Sequence, residues 1–325
     1  WIISGALGLE GAIIELVMAI LSTITARLRF SLEDKQTLVL SVVASGIGVV
    51  FGAPFSAALF TLEFVLAHES RVRAATVLAS LTSFGLVSAT KSILFDMDLF
   101  SASGGGGTNT VLSSLVGSLR ISNFTKSDWI RLSVLSILIG IVLGVWAFLN
   151  NRLFSKGAVV YREVFSRTRD FKAMGLTRQN WSFVKQSLIA SIILSLVLYS
   201  SSKTLLAPWK IWEDIAWQRL SSIQAIANIL LYWSMFIIAG AGFGSSGVFA
   251  PILFLGSLLG YAVGTWIYLP WSSVLAIVGA AAALSAVFRV PVAAVALVLE
   301  LGRNGPLWWL AALSVGSAYL TSYFI

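Results

Sequence analysis

The residues best suited to chemistry here are glycines and backbone amides rather than side-chain nucleophiles. The run Gly244-Ser-Ser-Gly-Val-Phe-Ala-Pro251 joins a flexible stretch to a proline that fits the first turn of a helix, where its missing N–H costs least. A helix beginning at such a run leaves its first N–H groups without intrahelical partners. Its macrodipole adds positive potential at the same end. Together they make an anion site that needs no cationic side chain. Gly247 lets an ion approach the backbone closely, and Val248 and Phe249 supply the next amides.

A counterpart lies near the start of the chain, Gly8-Leu-Glu-Gly-Ala12. Here Gly8 and Gly11 bracket Glu10, a carboxylate that apolar surroundings disfavour unless it is protonated or partnered. At a helix N-terminus the ionised form is partly stabilised, so it can take the place an anion would occupy. Charged, Glu10 competes with the anion; neutral, it withdraws. The alternative role for Glu10 is to cap its own helix. Glu63, Arg289 and Glu300, at the ends of apolar segments, are expected in structural pairs, and Glu15 has no assigned role.

Composition says where these segments sit. Of 325 residues, 58% are hydrophobic and 11% charged, with mean hydropathy +0.90. A soluble domain carries about a quarter charged residues. From Leu220 to Phe288 there is no Asp, Glu, Lys or Arg. Each bilayer crossing takes roughly 20 apolar residues, so that stretch alone holds two or three crossings or re-entrant pieces. The alternation of a membrane β-barrel is missing, and the chain is expected to be an all-α multi-pass integral membrane protein. The net charge of +8 does not indicate nucleic acid, because no aromatic-basic RNA motif accompanies it. Arg152, Lys156, Arg162, Arg167, Arg169, Lys172, Arg178 and Lys185 fall in one connection, as expected of a cytoplasmic loop. Arg27 to Lys35 reads as a second polar connection on the same side.

With no cysteine there is neither disulfide nor thiolate metal site, and the single histidine, His68, reads as a surface-loop residue. An intramembrane hydrolase would need a Ser/His, paired-Asp or His-cluster site, which these residues do not offer. No enzyme, metal or cofactor is implied. Helical stretches are expected at 1–28, 36–67, 74–94, 132–149, 187–199, 223–238, 248–266, 272–284, 291–301 and 307–325. Ser101 to Thr110 reads as a flexible loop. Trp209, Trp212 and Trp217, and Trp308-Trp309, read as interfacial anchors.

The most informative pattern is an internal repeat. Residues 54–63, Pro-Phe-Ser-Ala-Ala-Leu-Phe-Thr-Leu-Glu, parallel residues 291–300, Pro-Val-Ala-Ala-Val-Ala-Leu-Val-Leu-Glu. Gly11 precedes Pro54 by 43 residues, and Gly247 precedes Pro291 by 44. Small residues for helix packing would explain the glycines alone, not the shared spacing. Duplicated halves with Gly/Pro-broken segments are a transporter or channel architecture, with the binding site where the broken segments meet.

These residues resemble the CLC chloride channels and exchangers. Gly247-Val-Phe-Ala-Pro251 fits that family's G-x-F-x-P motif, and Gly52-Ala-Pro54 through Glu63 is similar to its G-A-P helix. Phe288-Arg-Val-Pro291 through Glu300 resembles its R-A-P segment, and Gly8-Leu-Glu-Gly-Ala12 its G-[KR]-E-G-P motif, from which Leu9 and Ala12 depart. The resemblance implies one pore domain over 1–325 built from two inverted-topology repeats with broken and re-entrant helices. The first is about 1–150 and N-terminally incomplete, the second about 187–325, with a basic cytoplasmic connection about 151–186. It implies a homodimer in a lipid bilayer with a pore in each subunit, Glu10 as gate, and chloride held by the amides of Val248 and Phe249. It places a further selectivity motif, G-S-G-I-P, before residue 1 and a pore tyrosine past Ile325, so a longer protein is expected.

Exchangers of this family usually end the G-A-P helix with two adjacent carboxylates, the second relaying protons. Here Glu63 is followed by Phe64. A phenyl ring carries no proton, so a passive chloride channel is expected, with a chloride/proton antiporter as the alternative.

Overall fold

The computed structural model describes residues 9–27, 31–65, 70–94, 124–166, 192, 214–215, 217–243, 248–302 and 307–325. Among these the regular structure is entirely helical. In chain order these are α1 (Leu9–Arg27), α2 (Leu32–Phe51), α3 (Pro54–Val65) and α4 (Ser70–Leu94). They are followed by α5 (Lys126–Ser166), α6 (Ser222–Phe243), α7 (Phe249–Ile267), a 3-10 turn (Leu269–Trp271), α8 (Ser272–Phe288), α9 (Pro291–Gly302) and α10 (Trp308–Phe324). Among the described residues, four segments are long and apolar enough to cross a membrane: Asp34–Phe51, Lys126–Leu153, Phe249–Ile267 and Leu269–Phe288.

α8 is the central post. Every residue from Ser272 to Ala286 is buried, with α5, α7, α9 and α10 around it. α7 approaches α8 closely because Gly256, Gly260 and Gly264 recur every fourth residue and so share one face. A Cβ on Gly260 would overlap the Leu275 carbonyl of α8, and one on Gly264 would meet the Ser272 backbone. Small residues at this period let helix backbones pack where lipid offers no hydrophobic drive for association.

Helices that begin next to polar connections carry their own caps. Ser31 and Asp34 form a capping box at α2, Thr125 and Asp128 one at α5, and Ser221 and Gln224 one at α6. The Arg27 to Lys35 connection thus already contains a helix start. α5 also runs longer than the apolar pattern: its 41 residues extend about 60 Å, twice a bilayer core. Residues 151–166, expected in the connection, continue as helix.

The single helix expected over 36–67 is two. Gly52 takes a left-handed conformation (φ 62°) and caps α2 by donating its N–H to the Gly48 carbonyl, and Pro54 then opens α3. The second half repeats this at a constant offset of 237. Arg289 (φ 59°) caps α8 by donating to Ser285, and Pro291 opens α9. The Ala57 N–H to Ala53 carbonyl bond has its equivalent in Ala294 to Val290. The expected helix at 187–199, the glycine loop, His68, Trp209 and Trp212 lie outside the described residues.

Candidate anion pathway

The halves are joined through α3 and α9. Glu63, near the end of α3, accepts hydrogen bonds from the backbone N–H groups of Val292 (3.1 Å) and Ala293 (2.9 Å) in the first turn of α9. Glu300, near the end of α9, accepts from Phe55 (3.0 Å) and Ser56 (2.8 Å) in the first turn of α3. These four bonds superpose under the offset of 237, oxygen for oxygen. Each carboxylate meets the positive end of the opposing helix dipole. Helices that cap one another at both ends run antiparallel, so the two halves are inverted relative to each other. The expected pairs of Glu63 and Glu300 are therefore with backbone amides. Arg289 has another place, over the Tyr323 ring at 6.0 Å.

Phe249 occupies the junction. It is the first residue of α7 and is buried. Its ring lies 4.6 Å from Phe51, at the end of α2, and 6.1 Å from Phe288, at the end of α8. Those two phenylalanines are themselves equivalents in the repeat. A string of rings continues outward: Phe60 is 5.1 Å from Phe249 and 5.2 Å from Phe288, and Phe64 stacks on Phe60 at 5.6 Å. Phe64 is itself 55% exposed, so the string runs from the surface at the end of α3 to the start of α7.

The N-cap of α7 is Val248, half-buried, with no side-chain cap. Its hydrocarbon side chain cannot do for α7 what Ser31, Thr125 and Ser221 do for α2, α5 and α6. Pro251 removes one further N–H from the first turn. Glu10 and Gly11 belong to α1, and α1 reaches α7 as well as α2. Gly8 and Gly247 lie outside the described residues, and of Glu10, Gly11 and Glu15 only the helical backbone is described. Sequence reasoning missed Phe51, Phe60 and Phe288. The signal for two of them was available: aligned on their prolines, Phe51-Gly-Ala-Pro and Phe288-Arg-Val-Pro share the phenylalanine as well.

A family model described as "Voltage gated chloride channel" matches residues 1–323. Among solved structures, the chain is similar to one titled "Crystal Structure of a eukaryotic CLC transporter", at 17% identity and a TM-score of 0.65. That match covers 98% of this chain and 51% of the other, so the chain spans about half the length of its structural relative. No curated protein matches.

Proposed function

The chain belongs to the family of CLC voltage-gated chloride channels, and from that premise we propose that it conducts chloride passively across a membrane, through a pathway between the N-termini of α1 and α7. The observation that carries this reading is the start of α7. A helix begins at a buried phenylalanine, between the ends of α2 and α8, behind an N-cap that supplies no polar side chain. The amides that head a helix and its dipole suit a small anion without a counter-cation. Gly8, Gly11 and Gly247 give the ion room beside the backbone. Glu10, one residue into α1, is the proton-sensitive plug.

Passive conduction is favoured over exchange by Phe64 and the rings behind it. A proton crossing from the end of α3 would need titratable groups or water. The positions in line are the hydrocarbons of Phe64, Phe60, Phe288 and Phe249. The alternative, a chloride/proton antiporter, would route protons elsewhere, for which Glu15 in α1 is the available carboxylate.

We further propose a homodimer joined through the outer faces of α3 and α9. Phe55, Leu59 and Leu62 are equivalents of Val292, Ala296 and Leu299, so the repeat presents one matching stripe on each helix. Phe55, Val292 and Leu299 are each about half exposed. Both helices have 12 residues and span about 18 Å, less than a hydrocarbon core of about 30 Å. Partly exposed carboxylates at such ends would face lipid unless a second copy covers them.

The test of function is chloride flux in proteoliposomes with equal chloride on both sides and an imposed pH gradient. The channel reading expects no net chloride movement against its gradient. Uphill movement driven by protons would overturn it and leave the antiporter.

A further inference from the structure

On the expected cytoplasmic side, α5, the α8–α9 turn and the end of α10 enclose a cavity of about 240 Å³. Phe148, Asn151, Arg152, Ala286, Arg289 and Ser322 line it. Two arginines, an asparagine and a serine thus line it from three elements, the serine hydroxyl donating to the Tyr319 carbonyl, and no carboxylate is among the described lining residues. Arg152 lies over the Phe148 ring at 4.6 Å, and Arg289 over the Tyr323 ring at 6.0 Å. Each ring interaction restrains its guanidinium.

Arg289 has a second peculiarity. It holds a left-handed backbone conformation that is strained for a residue with a Cβ, at the position where the first half of the repeat has Gly52. Glycine would make the same cap without strain. The cap therefore does not explain an arginine here; a use for its side chain does.

We propose that this cavity is a phosphate site, separate from the chloride pathway. Guanidinium forks match the several acceptor oxygens of a phosphate, whereas a halide is served by single amides. The volume is below the roughly 300–1,000 Å³ of pockets for drug-sized ligands, which suits a phosphate group. The site lies at the Leu153 end of the Lys126–Leu153 span, the depth of lipid headgroups, with the apolar side chains of Leu149 and Leu153 exposed beside it. The shared chemistry is a phosphate group, carried either by an anionic phospholipid or free in solution.

The test uses the intact protein in phosphatidylcholine nanodiscs, titrated with dioctanoyl phosphatidic acid and, separately, with inorganic phosphate. Arg289→Gly removes the guanidinium while relieving the backbone, so its thermal stability should be no lower than that of the parent. Arg152→Gln removes the other from a solvent-exposed helix position. Each is expected to weaken binding about tenfold or more, the loss of a charge-assisted hydrogen bond, with halide efflux retained. Binding of the lipid alone assigns the site to a headgroup; equal binding of inorganic phosphate, displacing the lipid, assigns it to the soluble ion. Binding of neither probe by the parent, or equal binding by both variants and the parent, overturns the proposal.

Discussion

Glu10 is the residue on which conduction should turn. As a plug it acts only while ionised, because only the charged form competes with chloride for helix-end amides. Conductance should therefore rise as pH falls and the carboxylate takes up its proton. Glu10→Gln fixes the neutral form while keeping size and shape. Its efflux from chloride-loaded liposomes should stay near the level the parent reaches in acid, at every pH tested. A variant with the parent's pH profile would remove Glu10 from the mechanism. What the sequence made legible at this junction is the helix start at Val248 and Phe249, because a glycine run before an apolar segment with Pro251 in its first turn marks one. The rings around Phe249 were not. Phe51, Phe60 and Phe288 look like ordinary apolar residues until the antiparallel α3–α9 pair brings both halves to the same junction.

At the scale of elements, α3 and α9 hold the halves together with two carboxylates and four amides. A hydrogen bond to a charged acceptor contributes about 1.5–3 kcal/mol, and partial exposure moves the pair toward the lower end. Glu63→Ala should cost about 2–3 kcal/mol, read from denaturant unfolding of the protein in detergent. Glu63→Gln, which keeps one acceptor, should cost less, and Glu300→Ala should match Glu63→Ala because the repeat makes the sites equivalent. An alanine variant as stable as the parent would show that the amides find water instead. The proline, leucine and glutamate positions of this device were readable as a repeat. The break inside the expected helix over 36–67 was passed over, although Gly52 and Pro54 signal a left-handed cap followed by a helix start. Apolar periodicity runs through such a break unaltered. The length of α5 was hidden for the opposite reason, because charge ends an apolar pattern without ending a helix.

For the whole molecule, the question is what covers the face formed by α3 and α9. The inverted repeat turns two stretches of one chain, Phe55-Leu59-Leu62 and Val292-Ala296-Leu299, into a surface with its own approximate two-fold symmetry. An isologous dimer needs a self-complementary patch of this kind. In a bilayer, apolar exposure alone predicts nothing, since lipid tails are as apolar as leucine. The partly exposed carboxylates at the ends of these short helices favour a covering partner, because lipid cannot solvate them and a second copy would shield them. The chain has no cysteine, so single replacements report cleanly. Leu299→Cys, on the outer face of α9, should form an intersubunit disulfide under mild oxidation in membranes. Leu230→Cys, exposed on α6, should remain monomeric in the same gel. Cross-linking of both to the same extent would mean random collision. Cross-linking at Leu230 alone would place the interface on α6 and leave the ends of α3 and α9 to be shielded by some other means.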